Sequence, residues 1–151
     1  MANYDSIDLL MDEDGDIVIG PEGDIQGTQE DQIISLQQKI LSVLKSDIGD
    51  WLDYPTISAN LQSFVGKANT RENAQRIERA IQNALVNSDI VRSEDLEVNV
   101  HAAGIHSVFI EITVRATPTI FNSIDDQYVL GLFFSSTDGN ILWATAPSGG
   151  I

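Results

Sequence analysis

The chain reads as an α+β protein: a small antiparallel sheet packed against two or three amphipathic helices, with a β-hairpin near each end. Three observations predict this. Ala74, Ile77, Ile81, Ala84 and Leu85 recur at helical spacing, while Leu96 to His101 and Val108 to Arg115 each alternate apolar and polar residues with period two. The segment Ala102 to Ser107 is short enough to join those two runs as an antiparallel hairpin, with Gly104 available for a positive φ. A helix followed by a hairpin whose apolar face it covers is the centre of the prediction. Composition permits it, because 151 residues with 42% apolar content suit one domain that buries ~70% of its unfolded surface.

From the start of the chain, Tyr4 to Met11 and Ile17 to Ile19 read as short strands around the turn Asp12-Glu13-Asp14-Gly15-Asp16. A second turn follows at Gly20-Pro21-Glu22-Gly23-Asp24. The acids of this region invite a calcium loop. Such a loop wants glycine one place after its third acidic ligand and glutamate at its last position, but Gly15 precedes Asp16 and Gly23 stands where the glutamate belongs. A plain hairpin turn fits better. Between Thr28 and Lys45, Ile33, Leu36, Ile40, Leu41 and Leu44 predict an amphipathic helix, with Thr28 and Asp31 as a weak capping box and Gly49 as a left-handed stop. Trp51 to Pro55 forms an aromatic loop, and Ile57, Leu61, Phe64 and Val65 predict a short helix closing at Gly66.

Asn69 is then the expected N-cap of the helix carrying Ile77 and Ile81, with Glu72 three residues on completing the capping box. After the central hairpin, Pro118 interrupts the strand pattern, since proline cannot continue a ladder. Gln127 to Phe134 and Ile141 to Thr145 read as a further hairpin, very apolar for a terminal element, that needs a covering layer from its own domain or a neighbouring chain. The organisation expected is an acidic hairpin region over 1–27, an α+β core over 28–118 and a β-hairpin extension over 119–151.

The net charge of −15 is uneven, with no Lys or Arg before Lys39. That balance disfavours nucleic acid and anionic membranes, which reward clustered basic residues. It suits a solvated face, or a surface matched to a basic partner. The absence of cysteine removes disulfides and thiolate metal sites and fits a reducing cytoplasm. No run reaches the ~20 apolar residues of a membrane span, and the start is acidic where a signal peptide is basic, so a soluble, unexported chain is expected. Catalytic patterns are scarce: there is no nucleophile elbow, no phosphate-cradling glycine loop, and His101 and His106 flank one turn. The carboxylates fall in turns and on polar helix faces, where nothing raises an acid's pKa. The expectation is a non-enzymatic chain without metal or cofactor.

One combination is more specific. Asp8-Leu9-Leu10-Met11-Asp12-Glu13-Asp14-Gly15-Asp16-Ile17 precedes an amphipathic helix, Gly49-Asp50-Trp51 with Pro55, and then Glu72 to Leu85 leading into Leu96-Glu97-Val98-Asn99-Val100. This order resembles the contractile-tail baseplate wedge family of sheath initiators, also called tail-lysozyme-like baseplate proteins, over roughly residues 5 to 116. Many members carry Glu-Pro-Arg where this chain reads Leu85-Val86-Asn87-Ser88-Asp89, so nothing assigned to that triad is carried over. The last 35 residues have no clear counterpart.

The resemblance implies a virion protein of a phage tail or related contractile injection machine, assembled in the host cytoplasm. Its implied place is the baseplate, in several copies, six by the symmetry of such tails, around the tail axis. Its implied partners are the sheath protein, the wedge and hub proteins and the tail tube. The implied role is to template the first sheath ring by accepting a β-strand. On this reading the docking edge is the strand Val108, Phe109, Ile110, Glu111, Ile112, Thr113, Val114 and Arg115, and the terminal hairpin adds Phe133, Phe134, Leu142 and Trp143. Two other classes remain open: a muralytic enzyme, as the family's older name has it, and a free acidic protein-binding module mimicking nucleic acid. Peptidoglycan turnover tests the first, and co-purification with a nucleic-acid-binding protein tests the second.

Overall fold

The computed structural model describes residues 9–12, 16–27, 32–47, 49–50, 52–53, 58–115 and 127–143. It is an α+β fold: helices α1 (Gln32–Lys45) and α2 (Arg71–Asn87), then a four-stranded antiparallel sheet of β1 (Leu96–Ala102), β2 (Ser107–Arg115), β3 (Gln127–Ser135) and β4 (Ile141–Trp143). Strand order follows chain order, and each strand is antiparallel to its neighbours.

The helices form where the apolar spacing places them. Leu36, Ile40, Val43 and Leu44 of α1 are buried, as are Ala74, Ile77, Ile81, Ala84 and Leu85 of α2. The expected cap residues Thr28 and Asp31 of the first helix, and the aromatic loop residues Trp51, Tyr54 and Pro55, lie outside the described residues. Between the helices, a 3-10 turn at Leu61–Phe64 buries Leu61 and ends before Gly66, whose φ of 80° no β-carbon favours. Gly49 is left-handed as expected, with φ 93°.

The N-cap of α2 differs from the expectation by one residue. Thr70 Oγ1 accepts from the Asn73 amide at 3.2 Å, and Glu72 pairs instead with Arg76 one turn on. The Asn69 side chain is engaged elsewhere, donating to the carbonyls of Gly104 and Ser107 in the β1–β2 turn. That turn also corrects the reading of Gly104, which is not among the left-handed glycines. Ser107 O accepts from both Ala103 N and Gly104 N, closing the reversal without a positive φ there.

One face of the sheet is the core face. Val98, Val100, Val108, Ile110, Ile112, Val114, Leu130, Leu132 and Phe134 are all buried, and in-register rows such as Val98–Ile112–Leu130 cross the three long strands. α2 lies on this face, mainly over β1, and residues of α1 and the 3-10 turn complete the same cluster. The C-terminal hairpin is therefore not an appendage. β3 pairs with all nine residues of β2, and Phe134, completely buried, joins the core that α2 covers. Ser136 adds two further ties, its amide donating to His106 O and its carbonyl accepting from Gly66 N.

Residues 9–12 and 16–27 form a separate small β arrangement. Bridges Leu9–Gly27, Met11–Ile17 and Ile19–Ile25 pair three short segments. The backbone bonds close a cycle: Leu10 N donates to Gln26 O, Val18 N to Leu10 O, and Gln26 N to Val18 O. The expected pair of strands is thus a ring of three, repeated every eight residues. The Gln38 side chain of α1 holds it, accepting from Met11 N at 2.8 Å and donating to Leu9 O at 2.9 Å.

Candidate functional site

The strand expected to be a free edge is the inside of the sheet. β2 pairs with β1 along seven positions and with β3 along nine. Because Ser107 O faces Ala103 and His106 O faces Ser136, odd-numbered residues of β2 bond toward β1 and even-numbered ones toward β3. Neither set is left for a partner chain. Val108, Ile110, Ile112 and Val114 face the helices and are buried, while Phe109 and Glu111 are half-buried on the outer face and Arg115 is exposed there. Thr113 lies on that outer face too, yet is only 7% exposed. The sequence pattern showed correctly which side chains share a face; it could not show that a later strand occupies the second edge.

The open edge belongs to β1. With odd residues of β2 bonded toward β1 and Glu97, Asn99 and His101 opposite Thr113, Glu111 and Phe109, the backbone groups of Val98, Val100 and Ala102 point away from the sheet. Among the described residues they meet no second strand. Seven residues at ~3.3 Å each give an edge of about 23 Å, long enough for a standard strand pairing. The other margin, β4, has three residues. Charge flanks the β1 edge: Arg115 reaches Glu97 at 3.0 Å across the outer face. Hydrogen bonding from Asn99, then the Arg115 guanidinium, holds the Glu97 carboxyl below its ordinary value of 4.5. Asp138, in the β3–β4 turn, is also lowered, chiefly by the Asn140 amide. Both shifts run opposite to what a protonated catalytic acid needs.

The residues expected at the terminal hairpin separate into different environments. Phe134 is core. Phe133 and Leu142 are opposite each other on the outer face, 39% and 65% exposed, and Phe133 meets Phe109 with ring centroids 5.5 Å apart. His101 extends this row on the β1 side, opposite Phe109. The Trp143 side chain lies outside the described ones.

A cleft of about 270 Å³ opens between the end of α1, the 3-10 turn and the β3–β4 turn, lined by Leu44, Asp47, Leu61, Gln62, Asn140 and Ile141 among others. Its walls present mostly polar surface. Among the described residues no group of three His, Cys, Asp or Glu side chains is placed to hold a metal, and no helix is long and apolar enough to cross a membrane. At the first acidic turn, Asp12 Oδ1 accepts from Asp16 N at 2.9 Å, a bond that shapes the turn itself; Glu13, Asp14 and Gly15 lie outside the described residues. No family model matches the chain, and neither a curated protein nor a solved structure matches it.

Proposed function

We propose that this chain is a structural component of a contractile-tail baseplate that offers the outer edge of β1 to a strand of a sheath subunit, with wedge and hub proteins as its other neighbours. One observation supports this above the rest: Val98, Val100 and Ala102 direct backbone groups outward from the end of the four-stranded sheet, where among the described residues no further strand meets them. An open edge of this length is an aggregation hazard unless a partner strand takes it, and backbone pairing gives affinity while the neighbouring side chains select the partner. The family resemblance supplies the identity of that partner. The docking strand is thus β1, in place of the β2 that alternation alone suggested.

The edge is tested by proline. Ala102 is exposed and its N–H points outward, so Ala102→Pro removes one docking donor and leaves the β1–β2 ladder intact. His101→Pro, one residue earlier, removes a ladder donor and serves as the destabilised control. Ala102→Pro should keep the parent's circular dichroism and slow sheath nucleation at least tenfold. A folded Ala102→Pro protein that nucleates sheath at the parental rate would sink strand addition at β1.

A further inference from the structure

The N-terminal β ring carries a feature that strand addition at β1 does not use. Leu9, Met11, Ile17, Ile19 and Ile25 are 44–57% exposed, which is unusual for five large aliphatic residues in one short stretch. They are also contiguous. Side chains directly opposite in an antiparallel bridge share a face, as do residues two apart along one extended segment. Met11 lies opposite Ile17 and Ile19 opposite Ile25, while Leu9 is two residues from Met11 and Ile17 two from Ile19. The five therefore form a continuous apolar belt, exposing on the order of a few hundred Å², the size at which a surface patch marks an interaction site. The cyclic bonds use the inward-pointing backbone groups of Leu10, Val18 and Gln26, and the belt itself is read through its side chains.

What surrounds the belt sets its occupant. The two turns linking the three segments carry Asp12, Asp16, Glu22 and Asp24, all exposed, and no Lys or Arg occurs before Lys39. A second copy of this chain would bring the same carboxylates face to face, a repulsion that disfavours self-pairing. We infer that the belt is a docking surface for a different protein, one presenting an apolar centre rimmed by Lys and Arg. The aliphatic contact supplies affinity, and the acidic turns supply steering and exclude acidic competitors. Gln38, by tying Leu9 and Met11 to α1, sets the orientation of this surface relative to the body of the protein.

The test uses the full chain and three synthetic peptides as probes: an amphipathic helix of Leu and Lys, an oligolysine of equal charge, and a Leu–Glu helix. The Leu–Lys peptide should bind at least tenfold tighter than oligolysine, and the Leu–Glu peptide should not bind. Ile19→Ser with Ile25→Ser should abolish that tenfold advantage and leave oligolysine binding unchanged, while Ile19→Leu with Ile25→Leu restores it. Circular dichroism and the exchange protection of the Val18 and Gln26 amides establish that the variants keep the ring. Ala102→Pro should leave all of these values unaltered, which separates this surface from the β1 edge. Equal binding of the Leu–Lys peptide to the serine variant, or of the Leu–Glu peptide to the parent, would overturn the inference. So would sedimentation showing a parent dimer that the serine variant loses, since the occupant would then be a second copy.

Discussion

At the scale of single residues, Asn69 and Glu97 show how a polar side chain is claimed by whichever partner the fold brings closest. Asn69 has the right chemistry for an N-cap but reaches across to the β1–β2 turn, and Thr70 caps α2 in its place. Glu97 is held ionised by Asn99 and Arg115. A carboxyl lowered in the folded state stabilises above its unfolded value, here the ordinary 4.5, and the contribution is lost as pH falls through the lower folded value. Exposed on the sheet surface, this pair adds little to stability. Its titration is nonetheless measurable: carboxyl NMR should find Glu97 below 4.5 in the parent, with Asn99→Ala raising it toward that value more than Arg115→Gln does. A larger rise in Arg115→Gln would make charge, not hydrogen bonding, the leading cause.

At the scale of elements, α2 and the C-terminal hairpin contribute to one core in comparable measure. Ile81 and Phe134 are both fully buried, one in α2 and one in β3. Truncating a large core side chain removes its transfer free energy and leaves a partly uncollapsed cavity. Ile81→Ala should cost ~2–5 kcal/mol and Phe134→Ala ~3–5 kcal/mol in denaturant unfolding, each a large share of a domain's marginal stability. The two variants should unfold in a single transition with unchanged dependence on denaturant. A loss below ~1 kcal/mol for Phe134→Ala, against the full cost for Ile81→Ala, would mean that the hairpin is an independent extension and not a part of the sheet.

At the scale of the whole molecule, the helices and sheet share one buried cluster, and the N-terminal ring is joined to them by the Gln38 amide. Hydrogen bonds of this kind beside exposed apolar residues hold less firmly than a packed core. Gln38→Ala should therefore raise the exchange rate of the Met11 amide, and of the Leu10 and Val18 amides with it, while those of β2 and β3 keep their protection. Uniformly faster exchange across ring and sheet would show that the ring stabilises the core itself. The two proposed interfaces sit on different parts of this arrangement, the β1 edge on the rigid sheet and the apolar belt on the tethered ring.

The sequence by itself determined the α+β class, both helices, the four strands near their observed bounds, and the assignment of Val108, Ile110, Ile112 and Val114 to the covered face. Each follows from period and composition, which are local: an α-helix must bury its 3.6-residue stripe and a strand its alternate residues wherever the chain goes next. The tertiary structure alone decided which strand lies at an edge, that Phe134 is core while Phe133 faces outward beside Leu142, and that the segments around Leu10, Val18 and Gln26 close into a ring. Those are questions of which segment meets which. Strand pairing is satisfied equally well by any segment with free N–H and C=O groups, so nothing in the residues of β2 states whether β3 or another chain fills its second side.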